Sequence, residues 1–293
     1  MTPTQRILLA AAVAAFATAA AACGTSTGPE AIDDPRPTTT AASPPTTDPA
    51  GGDEIVWQEF TGGGFTPAAY ALGGVPDVTI YADGRILRSV DADADTGTLR
   101  PVDLEEAQIP AGELAAFLDA AADSALFEPG TDFGQPGVTD LPSTSVTLRT
   151  GDTPQSVDVY ALDLTIDPSS RDVTPEQAER RDQLKDLLAQ ARSLAKGATP
   201  YVPGRVRASL VTSGSQIDAG AAPRDWPGPP LSAFPEPAAD GSDTSCLVVE
   251  GPDAATVIEA AADNQSAFWR IGGEVHQIVT APLVPGEEGC PPR

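Results

Sequence analysis

The sequence has 293 residues, which allows one or two domains plus tails. It carries 42 acidic residues against 17 basic ones, and its net charge of −25 disfavours nucleic-acid binding because such a surface repels phosphate backbones. Thirty prolines, 27 glycines and only 5% aromatic residues indicate small cores separated by much irregular chain.

Residues 1–22 have the layout of a secretory signal peptide. Arg6 supplies a basic start, an apolar run follows from Ile7 to Ala22, and small residues precede Cys23. Sixteen residues are fewer than the ~20 that span a bilayer, so a retained transmembrane helix is the second interpretation. We therefore expect residues 1–22 to be removed from the mature protein.

The residues around Cys23 resemble the signal of bacterial lipoproteins. In that family small residues precede an invariant cysteine, as Ala20, Ala21 and Ala22 do here, and Gly24 follows it in the usual way. The family prefers leucine where this chain has Ala20, so cleavage after Ala22 without a lipid is the alternative. The resemblance implies lipidation of Cys23, with acyl chains such as palmitate that hold the protein at the cell membrane, facing the extracellular side.

The number of cysteines agrees with this interpretation. The chain has three, and outside the cytoplasm an odd cysteine either pairs with another molecule or stays a reactive thiol. A lipid on Cys23 leaves Cys246 and Cys290 as one pair. We predict a structural disulfide between them, because two cysteines without a neighbouring histidine do not make a metal site.

The segment 23–52 follows the signal and is rich in threonine, proline, serine and glycine. It contains no aromatic residue and one large aliphatic residue, Ile32, so it cannot form a core. This composition predicts a disordered stalk that carries the folded body away from the membrane. A segment that bears O-linked sugars is compatible with the same composition.

A first α+β unit is predicted over residues 53–197. The apolar residues of "DEIVWQEF" indicate a strand, and Asp83-Gly84 lies between two alternating apolar runs. Asp-Gly in that position predicts a hairpin, because both central residues of the favoured two-residue turn have positive φ. Apolar residues at helical spacing predict a helix over 111–126.

The acidic stretch "VDADADTG" is a candidate calcium loop. Asp91, Asp93 and Asp95 alternate, and they offer the oxygen ligands that calcium prefers. However, an EF-hand loop needs glycine at its sixth position and glutamate at its twelfth, where this chain has Thr96 and Val102. The favoured interpretation is a solvated hairpin end that limits edge pairing, so no metal site is predicted.

Two strands on either side of "TGDTP" and a second helix complete the first unit. Thr174-Pro175-Glu176-Gln177 has the pattern of an N-cap, a first-turn proline and a capping-box glutamine, and Gly197 ends the helix. The predicted order of elements is β-ββ-α-ββ-α. This order predicts an antiparallel sheet with helices on one face.

Residues 55–165 resemble domains of unknown function that recur in actinobacterial lipoproteins. Asp83, Gly84, Asp140 and Pro142 carry the likeness, and the ending "PLVPGEEGC" is also similar. The resemblance implies a location and a fold, and no activity. From turn chemistry, Asp140 and Pro142 are interpreted as a turn before a strand rather than as a site.

A second α+β unit is predicted over residues 198–293. It contains strands at "RVRASLV" and "CLVVE", a helix with Val257 and Ile258 on one face, and a final hairpin at Gly272-Gly273. Between Val211 and Cys246 lies a long segment rich in proline and glycine. We expect it to cover a sheet face or edge, and a polyproline-like recognition segment is the alternative.

His276 is the one histidine of the sequence, so any mechanism that needs an imidazole depends on it. No G-x-S-x-G motif, phosphate loop, dinucleotide-binding glycine pattern or zinc spacing accompanies it. A lone histidine on a strand is more often a packed or surface residue. No catalytic residue is therefore predicted.

The sequence as a whole predicts a lipid-anchored α+β protein of the cell envelope. Its expected function is non-catalytic binding of an unidentified envelope protein or small ligand, without a cofactor. The alternative is an envelope hydrolase that uses His276 or an acidic pair. A solute-binding protein is third, because the repeated strand–helix alternation of a parallel sheet is missing.

Overall fold

Seven antiparallel strands form the first sheet of the protein, in the order β6-β5-β1-β2-β3-β4-β7. The computed structural model describes residues 52–90, 99–167, 172–212, 222–237 and 243–290. Successive side chains along a strand point to opposite faces of the sheet. The strands are β1 (Ile55–Gly62), β2 (Val78–Tyr81), β3 (Arg85–Val90), β4 (Asp103–Gln108), β5 (Ser143–Leu148), β6 (Gln155–Tyr160) and β7 (Thr199–Tyr201).

The hairpin between β2 and β3 turns at Asp83-Gly84, as predicted, but its loop differs from the expected two-residue turn. Ile80 pairs with Ile86, and the Gly84 amide donates to the Tyr81 carbonyl at 2.9 Å. Gly84 has a φ of +88°, whereas Asp83 is not among the residues with positive φ. The loop is therefore a three-residue type I turn followed by a left-handed glycine.

Two helices, α2 (Ala111–Asp123) and α3 (Pro175–Ser193), cover one face of this sheet, whereas the short helix α1 (Ala68–Leu72) contacts the second sheet. The capping box predicted at the start of α3 is present, since Thr174 and Gln177 bond reciprocally. The largest core cluster contains the buried side chains of α2 and α3 together with inward-facing residues of β1, β2, β3 and β5. We call this face of the sheet the helix-covered face.

Five strands form the second sheet, in the order β10-β8-β12-β11-β9. They are β8 (Arg205–Val211), β9 (Arg224–Asp225), β10 (Thr244–Glu250), β11 (Phe268–Ile271) and β12 (Glu274–Pro282), and α4 (Pro252–Ala262) packs against β8, β10 and β12. All pairs are antiparallel except β9 with β11. In the predicted final hairpin, Gly272 and Gly273 both have positive φ.

The two sheets belong to one compact unit that spans Thr46–Arg293. The hydroxyl of Tyr81 in β2 donates to the carbonyl of Pro285 at 2.9 Å, and Val284 packs with Tyr81 on the face away from the helices. The predicted division at residues 197/198 lies near the passage from one sheet to the other. Strand β7, at 199–201, still pairs with β4 of the first sheet.

The predicted α+β class with mainly antiparallel sheets is confirmed. The predicted element order lacks α1, β4, β7 and β9. Strand β4 has the sequence "DLEEAQ", in which only Leu104 and Ala107 are buried, so apolar alternation does not reveal it. Within the described ranges, no helix has the length and apolar character needed to cross a bilayer.

The described part of the long proline-rich segment covers the second sheet, as expected. Strand β9 extends the sheet edge beside β11, and Phe234 is buried in the second core. Trp226 meets Trp269 edge to face, with ring centroids 5.1 Å apart. These aromatic contacts explain why the segment contains two large rings.

Candidate functional site

A carboxylate lies fully buried on the helix-covered face of the first sheet. Glu59 follows Trp57 by two residues in β1, so both side chains lie on the same face, and Glu59 has no exposed surface. Its Oε1 accepts a hydrogen bond from the guanidinium of Arg192 in α3, whereas its Oε2 has no hydrogen-bond partner. Burial, partly opposed by Arg192, raises the pKa of Glu59 to about 7.

Asp77 is a second carboxylate of the same cluster. Its amide donates to the Glu59 carbonyl at 2.8 Å, and its charge contributes to the raised pKa of Glu59. Burial also raises the pKa of Asp77, although hydrogen bonds from Thr61 oppose the shift. We call Glu59 and Asp77 the buried acid pair, and its chemical capacity is to hold a proton close to neutral pH.

A small cavity of about 240 Å³ lies near this pair, behind two threonines. Thr61 and Thr144 bring their hydroxyl oxygens to 3.2 Å of each other, and Thr144 lines the cavity together with Asp163. The remaining lining is mostly apolar. Within the described ranges, no three histidine, cysteine or acidic side chains are arranged to hold a metal ion.

An open depression lies along strand β6. It has a volume of about 790 Å³, and we call it the β6 groove. One wall consists of residues 127–131 and Phe133. The other consists of the hairpin end and the first residues of β6, which together span 150–158 without Asp152. Glu128 and Asp158 contribute two carboxylates to the lining, and none of its described residues is a lysine, arginine or histidine.

Arg181 of α3 links one wall of the β6 groove to the end of β6. Its buried guanidinium donates to the carbonyl of Phe133 on one wall and to those of Tyr160 and Ala161 at the end of β6. Burial lowers the pKa of Arg181, but an arginine stays charged at physiological pH. The groove is therefore shaped by a side chain beneath its lining.

His276 lies on β12, opposite Trp269 of β11. Its Nε2 is 3.8 Å from Glu274 Oε2, which is too long for a hydrogen bond, and among the described residues this nitrogen has no hydrogen-bond partner. The geometry brings no serine hydroxyl to Nε2, where a serine hydrolase needs one. His276 is not a member of the acid cluster or the β6 groove.

The predicted disulfide is present. Cys246 of β10 and Cys290 near the end of the described chain are bonded across 44 residues. Cys23 and the candidate calcium ligands Asp91, Asp93 and Asp95 lie outside the described residues. The predictions made for them stay predictions.

Asp140 and Pro142 form a turn, as their chemistry predicts. Asp140 has a φ of +68°, and its carbonyl accepts from the amide of Phe65 at 3.2 Å. Pro142 accepts from the amide of Ala161 at 2.8 Å and lines the small cavity. These contacts order the chain before β5.

No family of known proteins matches the sequence, and no curated protein has significant similarity to it.

The buried acid pair and the β6 groove were not identified from the sequence. A signal for Glu59 exists, because the alternation of β1 gives it the same face as Trp57. The groove depends on β6 being the last strand of the sheet, and strand order is not readable from a single sequence. Arg181 is marked only by its position among the leucines of α3.

Proposed function

We propose that this protein is a lipoprotein of the cell envelope, anchored at the extracellular side of the membrane through Cys23, whose folded body is a non-catalytic binding module. The observation that carries the proposal is the bond between Cys246 and Cys290. Disulfides persist in oxidising compartments outside the cytoplasm. The bond also accounts for two of the three cysteines and leaves Cys23 for a lipid.

The β6 groove supports binding as the role of the body. It is wide, acidic and held by Arg181, and it lies at the edge of the sheet rather than at a set of catalytic groups. The hydrolase alternative lacks comparable support. Nε2 of His276 has no hydrogen-bond partner among the described residues, and the side chain of Glu59 has no exposed surface.

Metabolic labelling with an alkynyl fatty acid tests the anchor. We expect the wild-type chain to take up the label in the producing bacterium and the Cys23→Ala variant to lose it entirely, because the thioether forms at that sulfur. The matched control is the double variant Cys246→Ala/Cys290→Ala, which removes two thiols and keeps the label. Labelling that persists in Cys23→Ala, or that is missing from the wild type, contradicts the proposal.

A further inference from the structure

We propose that the β6 groove binds an extended, basic peptide segment of an envelope protein, which adds to the seven-stranded sheet as a further antiparallel or parallel strand beside β6. This inference deepens the proposed binding function and rests on it. It assigns a surface, a binding mode and the charge of the partner.

The backbone of β6 provides the binding edge. Strand β6 has six residues, it pairs with β5 on one side, and no described strand pairs with its other side. The outward amides and carbonyls of such an edge are donors and acceptors that another extended backbone satisfies. The required occupant is therefore an extended chain rather than a helix.

The other sheet edges are less suited to this role. Strand β7 has three residues with Pro200 in the middle, which lacks an amide donor, and β9 has two residues. Strand β10 is longer, but Cys246 is bonded to Cys290, and Ser245 donates a hydrogen bond to the carbonyl of Pro235. Among the described edges, β6 is the one that combines length with an adjoining groove.

The opposite wall of the groove gives room for side chains. Successive side chains of an added strand point to alternate faces, so every second one lies toward the segment 127–133. Three hydrogen bonds from α3 hold the end of this segment. Arg181 donates to the Phe133 carbonyl, Arg180 donates to the Asp132 carbonyl, and Gln177 donates to the Asp132 carboxylate. A preformed wall reduces the ordering cost of binding.

Charge selects the partner. Glu128 and Asp158 are exposed in the lining, and no basic side chain accompanies them among the described lining residues. A second copy of this chain would bring the same two carboxylates to the edge, and like charges across paired strands are destabilising. A segment with alternating lysine or arginine side chains complements this surface and the net charge of −25.

The probe for the test is an eight-residue peptide that alternates valine and lysine, N-methylated along one backbone edge so that it cannot pair with itself. Its binding to the full chain in detergent is measured by fluorescence anisotropy. We expect binding to the wild type, a loss of about tenfold in affinity for Glu128→Lys, and no change for the matched variant Asp119→Lys. Asp119 is exposed on α2, away from the groove.

Two further measurements make the result specific. A peptide N-methylated on both edges loses its backbone donors and is expected not to bind. Hydrogen exchange is expected to show new protection of β6 amides when the first peptide binds, whereas β7 amides are unaffected. Equal affinity for both peptides, protection elsewhere, or a valine–glutamate peptide that binds as well as the lysine peptide overturns the inference.

Binding of a peptide at the β6 groove and a binding role for the body as a whole can be tested separately. If an envelope component is retained equally by wild type and Glu128→Lys while the lysine peptide does not bind at millimolar concentration, the groove assignment is wrong. The binding role of the body would then depend on another surface. Lipidation of Cys23 is measured separately and is independent of either result.

Discussion

The two sheets of this protein differ in what they bury. The region around the seven-stranded sheet contains the two fully buried charged residues of the described chain, Glu59 and Arg181. The region around the five-stranded sheet buries neutral polar groups instead and carries the disulfide. Its buried polar residues are Ser209, Ser245, Asn264 and Thr280.

This difference has physical consequences for each region. A neutral group is inexpensive to bury when it is hydrogen-bonded, as Asn264 is to the Phe268 carbonyl and the Trp269 indole is to the Ile278 carbonyl. A buried carboxylate instead couples folding to protons. The stability of the first region should therefore respond to pH and that of the second to reductant.

The largest expected effect comes from breaking the disulfide. The bond closes a loop across 44 residues, and the chain-entropy relation gives about 4 kcal/mol for a loop of that size. Reduction, or the double variant Cys246→Ala/Cys290→Ala, should lower the free energy of unfolding by about that amount. Chemical denaturation with and without reductant measures it.

Cys23→Ala is the control for this experiment, because it removes the third cysteine of the chain without opening the loop. Its unfolding free energy should equal that of the wild type. An unchanged denaturation midpoint after complete reduction would show that the disulfide does not constrain the second region.

The second largest effect on the free energy of unfolding is expected from Glu59, and it depends on pH. The folded chain holds the proton of Glu59 up to a pKa of about 7, above its ordinary 4.5, so unfolding releases protons between these values. The contribution of Glu59 to stability is therefore present below pH 4.5 and is lost as pH rises through 7. The loss amounts to roughly 3 kcal/mol at pH 9, from the size of the pKa shift.

The variant Glu59→Gln removes this proton linkage. Relative to the wild type, we expect it to gain roughly 3 kcal/mol of unfolding free energy on going from pH 4 to pH 9. Arg192→Gln should instead increase the dependence of the unfolding free energy on pH, because loss of that cation raises the pKa of Glu59 further. A difference between Glu59→Gln and wild type that is constant with pH would contradict the assignment.

The smallest effect is expected from the cap of α3. Thr174 Oγ1 accepts from the amide of Gln177, and Gln177 Oε1 accepts from the amide of Thr174. Thr174→Ala should cost about 1 kcal/mol at pH 9 and less at pH 4, because the pKa of the Glu176 carboxylate is lowered by its own backbone amide and by a hydrogen bond from the Thr174 side chain. Thr174→Ser keeps the acceptor and should have little effect, and thermal unfolding at the two pH values measures both variants.

Local patterns in the sequence account for much of the fold. The hairpins at Asp83-Gly84 and Gly272-Gly273 and the capping box at Thr174 were predicted because each depends on a few adjacent residues. The pairing of Cys246 with Cys290 followed from the number of cysteines. In each case the interaction joins residues that are close in sequence, or the residue has few alternative partners.

The remaining features depend on residues that are distant in sequence. Strand β1 lies between β5 and β2, and Glu59 meets Arg192 across 133 residues. Strand β4 is held by its neighbours β3 and β7 rather than by its own apolar pattern. The β6 groove lies between the segments 127–133 and 150–158, and Arg181 links Phe133 to the end of β6.

Intact-mass analysis of the native protein, with peptide mapping of its N-terminus, tests the proposed lipid anchor. We predict that residues 1–22 are absent, that Cys23 carries a diacylglyceryl group, and that Cys246 and Cys290 are oxidised. A free thiol at Cys23, or a chain that retains its leader, would contradict the proposed anchor and the location that depends on it.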